Sequence, residues 1–188
     1  MSILELWIEN DWVIKTLIIA IFVVFVISLE KIYQFVKTSR ALQELHAITS
    51  IGQHESLSQN YISETLQDID SFKNSDVALY NANVGIKLDM FESYQMKYIS
   101  VISTIAVLAP MLGLIGTFIG VWHVFEGVGS VGLNDPAIIA RGIKEVLIDT
   151  MAGLIVAVVA MVFFKIFEHL GQKNILNFED KLYKLLKK

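Results

Sequence analysis

The sequence predicts an all-α integral membrane protein with three transmembrane helices and long helical extensions outside the bilayer. Three observations carry this expectation. Of its 188 residues, 54% are hydrophobic, above the roughly 45–50% of an ordinary soluble domain. The excess is gathered into three runs, at residues 12–29, 98–125 and 139–167, each long enough to cross a hydrocarbon core of roughly 30 Å as a helix. A buried core helix of a soluble protein would account for one such run but not for three in a chain of this length. Finally, the basic residues concentrate on alternate connections, which is the pattern that orients spans in a membrane.

The elements follow in order. Residues 1–11 are acidic, with Glu5, Glu9 and Asp11. They lack the positive n-region of a secretory signal, and no small-residue cleavage site precedes Glu30 and Lys31, so residues 12–29 read as a retained anchor. Residues 30–97 form a large loop holding Lys31, Lys37, Arg40, Lys73, Lys87 and Lys97. Within it Val77, Tyr80, Val84, Leu88, Phe91 and Tyr98 recur at helical spacing. That stripe meets no proline before the second span, which predicts one continuous helix through both. Gly52 to Glu55 is the expected turn inside the loop. The second span, residues 98–125, contains no charged side chain until Glu126. Residues 126–138 form a short hairpin, and the third span occupies residues 139–167, with helix expected from about Pro136. In the tail, residues 168–188, Ile175, Phe178, Leu182 and Leu185 share one side and lysines occupy the rest. This side either packs on another subunit or on the membrane surface, or it covers the chain's own loop. The positive-inside rule places the N-terminus and the hairpin outside, and the loop and tail inside the cytoplasm.

Composition excludes several functions. Without cysteine there is no disulfide framework, thiolate metal site or cysteine nucleophile. The formal net charge of -4 gives no basis for binding nucleic acid. His46, His54, His123 and His169 are scattered without ligand spacing. No nucleophile–base pair, phosphate loop or metal cluster is visible, so no enzymatic activity, no metal and no cofactor are expected.

What chemistry there is lies in the second and third spans. Ala109, Gly113, Gly116, Thr117 and Gly120 fall on one side of the second, with Gly116 and Gly120 forming a GxxxG. Small residues let helix backbones approach closely in lipid, either against a sister helix of the same chain or against a neighbour. Pro110 removes a hydrogen bond from this helix and is expected to kink it. The third span carries a matching stripe of Thr150, Gly153, Ala157 and Ala160, and Glu145 and Asp149 share a face at its start. Ionisable groups inside a span are costly and face a bundle interior or a water-filled cavity; the other reading pairs them with Arg141 and Lys144 at the interface. The two spans run antiparallel, and at about 1.5 Å per residue Thr117 and Thr150 both lie roughly 7 Å outward of the midplane. A lone threonine in a span usually bonds to its own carbonyls. The shared depth and shared small faces favour a polar ring around an axis. These faces are expected to be too extensive to bury within one three-helix subunit.

The run Ala109-Pro110-Met111-Leu112-Gly113-Leu114-Ile115-Gly116-Thr117 resembles the A-P-x-x-G-L-x-G-T signature of the MotA/TolQ/ExbB proton-channel family. The run Glu145-Val146-Leu147-Ile148-Asp149-Thr150-Met151-Ala152-Gly153-Leu154 resembles its E-A-L-x-x-T-x-x-G-L segment. Three spans rather than four favour the ExbB/TolQ branch. The resemblance implies a homopentamer around a central pore in the inner membrane of a Gram-negative bacterium. Ala109, Gly113, Gly116, Gly120, Gly153, Ala157 and Ala160 would be its pore-lining small faces. The pore would hold the single spans of an ExbD/TolR-like dimer, whose membrane carboxylate exchanges ions with the periplasm. Thr117 and Thr150 would line the ion path, and Glu145 would guard its outer mouth. Motion would pass to a TonB- or TolA-like protein. Asp149 departs from the pattern, because the residue before the family threonine is commonly small. It adds a carboxylate beside the path and opens a sodium-driven variant as an alternative to protons. A scaffold that conducts nothing is the other alternative.

Overall fold

The computed structural model describes residues 12–47, 61–72, 76–131 and 136–186. Every regular element among them is a helix: α1 (Trp12–Ala47), α2 (Tyr61–Ser71), α3 (Val77–Met96), α4 (Ile99–Val131) and α5 (Pro136–Leu186). Stretches within α1, α4 and α5, namely Trp12–Leu45, Ile99–Gly127 and Gly142–Leu186, are long and apolar enough to cross a membrane. Their runs of Val and Ile are poor helix formers in water, but in lipid a helix is the state that satisfies every backbone polar group within the segment. α5 begins on Pro136, where the missing N–H is one that the first helical turn leaves unpaired anyway. The expected turn at Gly52 to Glu55, residues 1–11 and the centre of the hairpin at 132–135 lie outside the described residues. α4 continues to Val131 and α5 starts at Pro136, so helix extends into the 126–138 connection from both sides.

The chain forms two compact units. The first takes the described residues within Met1–Ser28 and Ser100–Phe164. Its core joins Val13 and Leu17 of α1, Ala109 of α4, and Val156 and Ala157 of α5, with Ile21, Ile105, Leu112 and Ala152 packed around them. Phe25 meets Phe163 edge to face at 6.0 Å. The largest side chains point the other way: Phe22, Phe118, Trp122, Phe125 and Leu147 are all more than 60% exposed. In water that arrangement would be strongly unfavourable. In lipid, where tails solvate large apolar groups as well as a core does, interfaces select small residues instead.

The second unit takes the described residues within Leu29–Ile99 and Lys165–Lys188. Ala41, Leu42 and Leu45 of α1, Ile62, Leu66 and Ile69 of α2, Val84 and Phe91 of α3, and Phe178, Leu182 and Leu185 of α5 form one core. Phe91 and Phe178 approach to 4.4 Å between ring centroids, and the Tyr61 and Tyr94 rings stack at 4.5 Å. Burial raises the Tyr94 phenol above its ordinary pKa, Glu30 adds to this and Lys97 opposes it, so the stack is uncharged at neutral pH. Of the two readings of the tail, the one in which it covers its own loop is the one observed.

The expected continuous helix through the loop stripe and the second span does not form. α3 ends at Met96 and α4 starts at Ile99. Between them Tyr98 adopts φ 65°, a left-handed conformation that a bulky residue rarely takes. The physical reason lies on α1. Lys31 Nζ donates to the Gln95 carbonyl at 3.0 Å and Gln34 Nε2 to the Tyr94 carbonyl at 2.9 Å. Both carbonyls belong to the last turn of α3, which has no partners of its own there. A cation at this end also complements the helix dipole.

The candidate functional site at the contact between α4 and α5

Within the first unit the small faces of α4 and α5 close on one another. A Cβ placed on Gly113 would lie 3.0 Å from the Asp149 carbonyl oxygen, 3.2 Å from Thr150 Cα and 3.3 Å from Gly153 Cα. One placed on Gly153 would lie 2.7 Å from the Ala109 carbonyl and 3.0 Å from Gly113 Cα. The two backbones therefore touch, and only glycine permits it. Ala109 and Ala160 are buried to 1% and 0% exposure, and Ala157 to 8%. Gly113, Gly116, Gly120 and Gly153 are buried too.

This corrects one expectation: the small faces do bury themselves within one chain. The reason is size: with hydrogen or methyl in place of larger side chains, two antiparallel spans consume each other's small surface. The spacing extends further than the sequence reading took it. Gly142, seven residues before Asp149, packs against Val124, and Gly120 faces Val146 Cγ2. The i, i+7, i+11 series Gly142, Asp149, Gly153 carried the signal.

Asp149 sits in the middle of this contact and is 5% exposed. Its carboxylate occupies the notch left by Gly116: a Cβ there would stand 2.5 Å from Oδ2 and 2.9 Å from Cγ. The departure from small residue to aspartate is thus accommodated by a glycine on the facing helix. Thr117 and Thr150 are half-buried. The Thr117 hydroxyl donates to the Leu114 carbonyl at 2.6 Å, and the Thr150 hydroxyl to the Val146 carbonyl at 3.2 Å. Each proton is thereby spent on the helix's own backbone, while the hydroxyl lone pairs stay open to accept. Pro110 lies inside α4, which continues on both sides of it. Glu145 occupies the turn of α5 before Asp149; its side chain, like that of Arg141, lies outside the described ones. His123 and His169 are exposed, and no group of three metal-ligating side chains occurs among the described residues.

Fold and site together define a class: an all-helical polytopic membrane protein in which a glycine face on one span closes over an acid–threonine–glycine face on the next. Residues 53–180 match the model of the MotA/TolQ/ExbB proton channel family, and the chain belongs to that family. It is 37% identical over 177 residues to a putative biopolymer transport protein ExbB homolog of Methanothermobacter thermautotrophicus, covering 85% of this chain and 61% of that protein. It is 28% identical over 134 residues to the biopolymer transport protein ExbB of Salmonella typhimurium, covering 69% of this chain and 55% of that protein. The chain thus spans little more than half the length of these curated relatives.

Proposed function

We propose that the chain is the scaffold and channel subunit of an ion-driven motor of the ExbB/TolQ branch, set in the inner membrane with its N-terminus outside. In this reading several copies, five by the family resemblance, surround the single spans of an ExbD/TolR-like dimer, and the motion is delivered to a TonB- or TolA-like protein. The observation that carries it is the pair of half-buried threonines flanking the α4–α5 seam. Thr117 and Thr150 present acceptor lone pairs in otherwise apolar spans, with their own protons already bonded to backbone. Such oxygens suit a hydronium, a sodium ion or a protonated carboxyl on a partner helix, each of which brings the donor or the positive charge. Glu145 would stand at the outer mouth of that path. Asp149 supports the seam from inside.

Replacing Thr150 with Val keeps the shape and removes the acceptor. We expect Thr150→Val to lose most ion-driven function while Thr150→Ser keeps it, measured by complementation of cells lacking their own ExbB/TolQ-type subunits at matched membrane levels. Equal function of both variants would favour a scaffold that conducts nothing.

A further inference from the structure

The link Lys97–Tyr98 conflicts with its own sequence. From Glu92 to Ser103 there is neither Gly nor Pro, and nothing local ends a helix there. Yet α3 stops at Met96, α4 starts at Ile99, and Tyr98 is held at φ 65°. Local preference asks for a continuous helix, whereas the tertiary contacts hold a break. A segment in which the two disagree is a two-state element, because what keeps it in the less favoured local state is a small number of identifiable contacts.

Those contacts come from α1. Lys31, which is 1% exposed, and Gln34 lie one turn apart on α1 and bond the carbonyls of Gln95 and Tyr94. Lys31 is itself held by Gln34 Oε1 at 2.7 Å. In a continuous helix the Tyr94 and Gln95 carbonyls would accept from the amides of Tyr98 and Ile99, four residues on. The side chains of α1 thus stand in for the backbone donors that the break removes. On the outer side of the link the Lys97 ammonium lies 4.6 Å from the centre of the Tyr98 ring, a cation–π contact that favours the observed turn.

We propose that Lys97–Tyr98 is a switchable break, held open by the Lys31–Gln34 cap and poised to close into a single α3–α4 helix when that cap is withdrawn. The proposal concerns α4, the helix that carries Thr117, but does not rest on ion conduction.

Hydrogen exchange in nanodiscs reads the switch directly. The amides of Ile99 to Val101 head α4 and have no intrahelical partners in the broken state; in the continuous helix they are bonded to the carbonyls of Gln95 to Lys97. Replacing both cap residues, Lys31→Met with Gln34→Leu, should raise protection of these amides by about tenfold or more, since a charge-assisted and a neutral hydrogen bond to the break are lost together. Tyr98→Gly removes the left-handed cost and, added to the cap variant, should cancel the gain in protection. Tyr98→Ala keeps that cost and loses the ring contact, and should raise protection. If the cap variant does not accumulate, Tyr98→Ala still decides. Unchanged exchange at Ile99 to Val101 in Tyr98→Ala, or in a folded cap variant, overturns the proposal.

Discussion

Glycines in this chain divide by what their missing side chains would strike. At Gly153 the nearest obstacles are the Ala109 carbonyl and the Gly113 backbone, which cannot move without parting two helices. At Gly85, inside α3, nothing lies within 4 Å. Gly153→Ala should therefore destabilise by about 1–3 kcal/mol, as overpacking does, while Gly85→Ala should stabilise by about 1 kcal/mol through helix propensity. Thermal aggregation of the two variants in detergent, side by side, tests the sign of each. Asp149 answers to the same geometry. Asp149→Asn keeps a side chain of the same shape in the Gly116 notch, so the protein should accumulate normally. Removing the titratable carboxyl group beside Thr150 should reduce ion-driven function or change its dependence on sodium. Wild-type complementation with and without sodium would remove Asp149 from the mechanism and leave it a packing residue. The sequence showed that these residues share faces, because periodicity reports which side of a helix a residue occupies. It did not show which helix covers that side, because small residues serve a sister span and a neighbouring subunit equally well.

At the level of elements, what the sequence made legible was whatever periodicity and hydrophobic length determine: three spans, the helical loop stripe, and the apolar side of the tail. Phe178, Leu182 and Leu185 are at most 6% exposed, as that side required. The break at Tyr98 was illegible because its cause is sixty residues away in sequence: Lys31 read as a charge that orients the membrane, and nothing in its surroundings marks it as a cap for α3. The tail's role was undecided for a similar reason, since a hydrophobic side does not name its partner. Its packing on Phe91 now makes a specific prediction. Phe178→Ala should cost about 3–5 kcal/mol, the usual range for emptying a buried aromatic site. Limited proteolysis should then cut α2 and the tail in the second unit faster than in the wild type, with membrane insertion of α1, α4 and α5 unchanged. Equal proteolysis would mean that the tail is held by something other than this core.

For the molecule as a whole, the burial of the small faces moves the question of conduction elsewhere. Within one chain the glycine stripe is covered by the contact of α4 with α5. The exposed residues of α4 are dominated by Val107, Leu108, Met111, Leu114, Ile115 and Phe118, and those of α5 by Leu147, Met151, Leu154, Ile155 and Val158. None of these can replace the hydration shell of an ion. Thr117 and Thr150 offer two oxygens per copy, too short a polar stretch to carry an ion across roughly 30 Å of hydrocarbon. A pathway then needs groups from outside the chain, and a carboxylate on a partner's span within reach of the threonines would supply them. The chain should assemble into an oligomer, with five copies as the expected count on native mass spectrometry in mild detergent, and that oligomer should pass no substantial proton or sodium current when reconstituted alone. Adding the ExbD/TolR-like partner should bring flux, and Thr150→Val should remove it without dissociating the two. Large currents from the oligomer alone would mean that its spans rearrange to expose the Asp149 seam, and would make this chain a channel in its own right.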